Sequence, residues 1–145
     1  MNAQEVAAQI ASAFADTPPP GNDFTDISAT MDDEGMVEYF QRTTWRGHRT
    51  YDLRCQSAAL NFFTDRAYRY WLPAFMLAEL EDPVEADVIA GSIAFSLETR
   101  KPVQLFTPNE WSAIAAFLSE CARRYDYEDD RTFEDTARFL GLKSV

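Results

Sequence analysis

The chain has 145 residues, a length that suits one domain and that buries enough surface to fold without disulfides or metal. Hydrophobic residues make up 46% and charged residues 26%, which excludes collagen-like, disulfide-scaffold and wholly disordered classes. Its 13 Lys and Arg stand against 24 Asp and Glu, and the net charge of -11 repels nucleic acid phosphates and anionic membranes. A macromolecular partner recognised by charge should therefore be basic.

The first half of the chain predicts two helices and one ambiguous segment. Met1–Phe14 has the 3–4 spacing of an amphipathic helix, which Pro18–Pro20 then end. Asp32–Arg42 predicts a second, short helix whose acidic first turn suits the helix dipole. Thr43–Cys55 is hard to assign, because apolar and polar residues alternate over Tyr51–Cys55 and leave a short strand open as an alternative.

The middle of the chain predicts a helix that the others cover. Thr64 is a suitable N-cap for a helix running to about Glu81, and that helix is apolar nearly all round. Pro73 within it removes a backbone donor and should kink it. Glu85–Leu97 predicts the next helix, in which Gly91 would allow close approach of a neighbour.

The last third of the chain carries the clearest sequence signal for the start of a helix. In Thr107–Glu110 a capping threonine, a proline at the first helical position and a glutamate form a capping box, and an apolar stripe follows to Tyr125. A last helix covers about Phe133–Leu140 and ends at Gly141. The pattern predicts one all-α domain over residues 1–145, with five to six helices around the central apolar helix and one short strand pair as an open alternative.

Charge is distributed in blocks along the chain. Residues 1–41 carry eight acids and no base, and residues 42–71 carry six arginines against two acids. Residues 72–99 carry six acids and no base, whereas residues 100–145 are nearly balanced. We expect the basic block to lie against the acidic flanks, which leaves a strongly acidic surface.

The residues that usually perform catalysis or hold cofactors are scarce. His48 is the only histidine and lies between arginines in a polar segment, which favours a surface loop histidine over a general base. Cys55 and Cys121 have apolar neighbours and indicate buried reduced thiols, although a disulfide between them stays open. Nucleotide-binding glycine loops and the hydrolase Gly-x-Ser-x-Gly turn do not occur. We therefore expect no catalytic residue, no cofactor and no metal.

Two acidic clusters are the candidate partner-binding surfaces. Neither has the alternating ligands of a calcium loop, and a run of charge on a helical protein is more often a solvated face. The second cluster follows Tyr125 and includes Tyr127, and tyrosines beside carboxylates suit a binding surface for Arg or Lys. The candidate residues are Asp32, Asp33, Glu34, Glu38, Asp126, Glu128, Asp129 and Asp130.

The segments Ala13–Gly21 (AFADTPPPG) and Phe62–Phe75 (FFTDRAYRYWLPAF), with Trp45 between them, resemble a bacterial domain-of-unknown-function family. The resemblance covers most of the chain, and Leu72-Pro73-Ala74 is its most specific part. It implies a shared fold and no catalytic residues. Relatives often carry a patch rich in His and Cys where this chain has residues 23–35, which contain neither, so no metal role carries over from that patch.

The chain also resembles bacterial immunity proteins, in size and charge and in no motif. With the acidic blocks, this likeness predicts an immunity protein that neutralises a basic cognate toxin by binding and occlusion, without nucleic acid or membrane partners. A small-molecule-binding or structural homo-oligomeric helical protein is the alternative, followed by an enzyme with an acidic site. The longest uncharged apolar run, Tyr70–Ala78, is too short for a bilayer, and we expect a cytoplasmic protein.

Overall fold

Helices account for the regular structure of residues 1–21, 35–41 and 43–142, which are the residues that the computed structural model describes. Within these ranges there are eight α-helices and one 3₁₀ helix, and five of the α-helices are at least eight residues long. The α-helices are α1 Ala3–Ala13, α2 Met36–Phe40, α3 Thr50–Cys55, α4 Asp65–Glu81, α5 Pro83–Ala86, α6 Ile89–Arg100, α7 Pro108–Arg124 and α8 Thr132–Phe139, with the 3₁₀ helix at Ser57–Asn61.

Helices α4 and α7 run parallel to each other, and hydrogen bonds at both ends show it. Near their starts, Arg69 Nε donates to Glu110 Oε1 at 3.0 Å. Near their ends, the Tyr125 hydroxyl donates to Glu79 Oε2 at 2.6 Å. The carboxyl ends of the two helices therefore lie side by side at one end of the molecule.

Helices α1 and α6 run the opposite way. The Thr17 hydroxyl, just after α1, donates to Glu110 at the start of α7. The Tyr68 hydroxyl, near the start of α4, lies 2.7 Å from Ser96 Oγ near the end of α6. Helix α8 likewise returns along α7, because Phe133 stacks on Tyr125. The result is a bundle whose connections alternate between its two ends.

The prediction of a central covered helix is confirmed. Tyr68, Trp71 and Phe75 of α4 are each at most 2% exposed, and Pro73 lies inside the helix. Phe40 of α2 packs on Trp71, with ring centroids 4.9 Å apart. The aromatic residues at helical spacing therefore form the core.

Three predicted helix ends are also confirmed, namely the starts of α4 and α7 and the end of α8. The Thr64 hydroxyl accepts a hydrogen bond from the amide of Ala67, and Thr107 and Glu110 form both halves of the capping box. After α8, Gly141 has a φ of 71°, a backbone conformation that glycine adopts without steric cost. Local capping chemistry thus sets these boundaries.

The short strand that the alternation at Tyr51–Cys55 left open does not form. Thr50 and Leu53 are buried three residues apart and Tyr51 is exposed, so the segment presents one helical face to the core as α3. Only an isolated bridge between Tyr127 and Asp130 occurs as β pairing in the described part of the chain. A strand here would have no neighbouring strand to pair with in residues 1–21, 35–41 and 43–142.

The helix predicted over Glu85–Leu97 is interrupted. Asp82 accepts from the amide of Glu85 and caps the short helix α5, and Asp87, with a φ of 50°, separates it from α6. The role given to Gly91 was wrong, because no atom of another described segment lies within 4 Å of the position where a Cβ of this exposed glycine would stand.

The two cysteines differ in their environment. Cys121 is fully buried on α7, whereas Cys55 at the end of α3 is exposed, and both are free thiols. Burial raises the pKa of the Cys121 thiol, with the neighbouring Glu79 carboxylate adding to the rise. The prediction of a buried thiol is confirmed for Cys121 and wrong for Cys55, because the helical turn of α3 directs Leu53 inward instead.

Candidate functional site

The first acidic cluster is described only in part. Asp32, Asp33 and Glu34 lie outside the described residues. Glu38 is exposed on α2, which begins at Met36 and so is shorter than the helix predicted from Asp32.

The second acidic cluster lies in the connection between α7 and α8. Asp126, Glu128, Asp129 and Asp130 are all exposed, and Tyr127 between them is 63% exposed. Hydrogen bonds from the hydroxyl and then the amide of Thr132 lower the pKa of Asp130 and fix it at the start of α8. The loop therefore projects carboxylates and one tyrosine ring into solvent.

Arg124 fastens this loop to the end of α4. Its guanidinium donates to the carbonyl oxygens of Glu79 and Leu80 at 3.1 and 3.2 Å. Carbonyls in the last turn of a helix have no partner within the helix, so Arg124 satisfies two that would otherwise lack one. The next residue, Tyr125, donates to the Glu79 carboxylate.

The fold consequently gathers two acidic segments at one end of the bundle. The residues after α4, which come from the acidic block 72–99, lie beside the loop that follows α7. We call this surface the acidic end, and its exposed carboxylates are Glu81, Asp82, Asp87, Asp126, Glu128, Asp129 and Asp130. Among the described residues, none of these seven forms an ion pair, and Arg131 is the exposed cation in the same loop.

Sequence reasoning missed Glu81, Asp82 and Asp87 as part of one surface with the loop. The signal was present, since residues 72–99 carry six acids and no base. Nothing in the sequence, however, places the end of α4 next to the end of α7. The contacts of Arg124 and Tyr125 with the end of α4 place the two helix ends together.

Buried Glu79 holds the acidic end together. It is 0% exposed, and its Oε1 accepts from the amide of Ala90 at 3.1 Å. Ala90 lies in the first turn of α6, where amides lack partners within the helix, so Glu79 acts as a cap supplied by another helix. Burial raises the pKa of Glu79, opposed by the hydrogen bonds from Tyr125 and Ala90 and by the charge of Arg124.

Glu120 supports the same contacts from within α7. Its carboxylate accepts from Arg123, one turn away, and from Arg124 Nε at 3.2 Å. The hydrogen bond from Arg123 lowers the pKa of Glu120, and burial opposes that effect. Arg124 is thereby held between Glu120 and the end of α4.

The pKa of Glu79 is raised and that of Glu120 is lowered, so the two carboxyl groups should make stability depend on pH in opposite ways. The folded chain raises the pKa of Glu79 above the ordinary value of 4.5, so its contribution to stability falls as the pH rises above that value. Glu120 contributes stability above its ordinary pKa, and that contribution is lost as the pH falls through the lowered value. Relative to the wild-type protein, Glu79→Gln should therefore gain stability as the pH rises from about 4 to about 8, and Glu120→Gln should lose it.

Urea unfolding of both variants and the wild-type protein at a series of pH values measures these differences. Curves for the two variants that run parallel to the wild-type curve would contradict the assignment.

Other arginines are also used inside the molecule. Arg54 of the basic block pairs with Glu85 at 3.7 Å, and Arg69 pairs with the buried Glu110. Arg46 instead lies over the Trp45 ring, 4.0 Å from its centroid, and Arg66 is exposed. The basic block thus meets an acidic flank at Arg54, and Arg69 reaches the nearly balanced segment 100–145 instead. The carboxylates of the acidic end stay without such partners.

A family model matches residues 2–138 of the chain. The chain belongs to DUF6714, a family of unknown function. No curated protein and no solved structure matches it. The family match confirms the resemblance to a domain-of-unknown-function family, and the likeness to immunity proteins stays a prediction.

His48 of this DUF6714 member lies in a loop, as the sequence indicated, but its ring is not free at the surface. It is half-buried against Phe40 and Trp71, and both ring nitrogens are engaged. Nε2 lies 2.5 Å from the Thr44 carbonyl oxygen, which only accepts, so Nε2 carries the proton and Nδ1 accepts from the Tyr39 hydroxyl at 2.7 Å. Burial raises the pKa of Tyr39 to about 12, which keeps that hydroxyl a donor. The ring therefore fixes the segment before α3 against the core.

Two features of the described residues bear on other classes of function. No group of three His, Cys, Asp or Glu side chains there is placed to hold a metal ion. None of the helices described combines the length and apolar character needed to cross a membrane. That the protein makes or breaks no covalent bond stays a prediction.

Proposed function

We propose that this protein binds a basic protein partner through its acidic end and acts most concretely as an immunity protein that occludes a cognate basic toxin. The observation that carries the proposal is the meeting of two acidic segments, Glu81–Asp87 and Asp126–Asp130, at the joined ends of α4 and α7. Seven carboxylates of these two segments are exposed and form no ion pair among the described residues, whereas Glu85 pairs with Arg54.

Electrostatics and contact chemistry both favour a basic protein. Fields from clustered charges extend over the Debye length of about 8–10 Å at physiological salt and accelerate association with an oppositely charged surface. Tyr127, 63% exposed among the carboxylates, supplies apolar area and a hydroxyl, which suits the centre of a protein interface. A toxin that acts on nucleic acid has a basic cleft, and such a surface would cover it.

The acidic end is also held rigidly, which favours binding. Arg124, Tyr125 and Glu79 fix the positions of the two segments before any partner arrives. A surface that is already ordered loses less conformational entropy on binding than a flexible acidic tail.

The double variant Asp126→Lys/Asp129→Lys tests the proposal. The immobilised wild-type protein and the variant are used to capture proteins from the native host at low and high salt. We expect one basic protein to bind the wild-type chain, to elute at high salt, and to bind the variant at least about tenfold more weakly. Toxicity of the captured protein when produced alone, relieved by the wild-type chain and not by the variant, would support the immunity role.

A matched control places the same total charge change at the opposite end of the bundle. Asp16, Asn61 and Gln104 are exposed there, and Asp16→Lys/Asn61→Lys/Gln104→Lys should bind the captured protein as the wild-type chain does. Equal loss of binding in both variants would show that only net charge matters and would contradict the proposed surface. Capture that is indifferent to salt would contradict the electrostatic basis.

A further inference from the structure

A groove of about 570 Å³ lies between α1 and the second half of α4. Ala3 and Ala7 of α1 line one side, and His48 lies on the other. The floor is a stripe of α4 that includes Leu77 and ends at Glu81. Because residues four apart on a helix are neighbours, Leu77 and Glu81 lie one above the other along this floor.

The groove marks an opening in the cover of the central helix. From Tyr70 to Leu80 every residue of α4 is buried except Leu77, which is half-buried. Alanines at positions 3 and 7 of α1 are too small to cover it. A helix that is apolar nearly all round thus has one apolar side chain within reach of another molecule.

The groove changes from apolar to acidic along its length. A second groove of about 670 Å³ adjoins it, shares His48 and Glu81 with it, and continues past Asp82. Arg49 in this second groove pairs with Asp52 at 2.9 Å, whereas Glu81 and Asp82 form no ion pair among the described residues. The free charge at this end of the groove is therefore negative, and it is part of the acidic end.

We propose that the groove receives a segment of the basic partner in which an apolar side chain stands close to Lys or Arg. The apolar side chain would lie on Leu77 between Ala3 and Ala7, and the cation would meet Glu81 and Asp82. This inference rests on the proposed function and deepens it, because it adds an apolar anchor and a direction of approach to a surface otherwise defined by charge.

A tryptophan at position 7 is the sharpest probe, because the chain offers a control one residue away. Ala7 lines the groove, whereas Ala8 is exposed and lies outside its lining. Ala7→Trp should fill the groove, and Ala8→Trp adds the same side chain to the outer face of α1. Circular dichroism and thermal unfolding establish that both variants are folded.

The ligand for this test is a short synthetic peptide that combines leucines and lysines, labelled with fluorescein, and a counterpart with glutamates in place of the lysines. Fluorescence anisotropy measures the affinity of each. We expect the Leu/Lys peptide to bind the wild-type protein and Ala8→Trp equally and Ala7→Trp at least about tenfold more weakly. The Leu/Glu peptide should not bind.

Glu81→Lys provides a second variant that leaves the groove open, and it should also weaken binding of the Leu/Lys peptide.

Three outcomes would overturn the groove proposal. They are no binding of the Leu/Lys peptide, equal binding by Ala7→Trp and Ala8→Trp, and binding of both peptides. Self-association of the wild-type chain that Ala7→Trp abolishes would assign the groove to a second copy and would overturn it too. Asp126→Lys/Asp129→Lys leaves the groove intact, so failure of the acidic-end proposal is measured separately.

Discussion

Glu79→Ala should lower the free energy of unfolding by about 3–4 kcal/mol at neutral pH. The substitution removes a fully buried side chain and leaves the Ala90 amide and the Tyr125 hydroxyl without their acceptor. A buried donor that loses its partner costs about 1–3 kcal/mol. The Ala90 amide is such a donor, and the Tyr125 hydroxyl is partly buried and adds a smaller cost. Arg124 keeps Glu120 and two carbonyls, so its charge does not become isolated.

Glu79→Gln is the control for this prediction. The amide oxygen can still accept one of the two hydrogen bonds, and glutamine avoids burying a charge, so the expected loss is about 1 kcal/mol or less at neutral pH. Urea unfolding followed by circular dichroism measures both variants. Equal destabilisation by alanine and glutamine would show that the carboxylate itself, and not its role as acceptor, stabilises the fold.

Glu110→Ala should cost about 2–3 kcal/mol. Glu110 is 1% exposed and joins three parts of the chain through the Thr107 amide, the Thr17 hydroxyl and Arg69. The expected cost is lower than for Glu79→Ala because the Arg69 side chain is 27% exposed and regains water when its partner is lost.

Glu110→Gln separates the cap from the ion pair. Its amide oxygen can still accept from the Thr107 amide, and its amide nitrogen can donate to the Thr17 hydroxyl, which turns to accept. This variant should therefore lose mainly the ion pair with Arg69, about half the total. Thermal unfolding and urea titration provide the comparison. A Glu110→Ala variant as stable as the wild-type protein would mean that the capping box does not anchor α7 to α1 and α4.

Much of the fold follows from signals within single segments. Thr107-Pro108-Asn109-Glu110 specifies the start of α7 because every group of the capping box comes from four consecutive residues. The apolar composition of Tyr68–Leu80 predicts burial on all sides, and the observed burial agrees except at Arg69 and Leu77. Predictions failed where local pattern and tertiary packing compete, as at Cys55, whose exposure depends on which face of a one-and-a-half-turn helix meets the core.

The candidate site shows the same division. The loop Asp126–Asp130 could be singled out from composition, because exposed carboxylates beside tyrosines form a pattern that is visible in one short stretch. Glu79 could not be singled out from composition. In the sequence, a glutamate inside an apolar helix looks the same whether its side chain reaches solvent or a distant backbone amide. Its partners lie 11 and 46 residues away in the chain.

The sequence by itself determined the helical class, the main helix boundaries and the sign of the surface charge, because caps, periodicity and composition act over a few neighbouring residues or over the chain as a whole. Only the tertiary structure decided that the ends of α4 and α7 meet, that Arg124 and Glu79 join them, and that the central helix opens at Leu77. These features depend on hydrogen bonds and packing between residues far apart in the chain, and no local pattern specifies which distant segments come together.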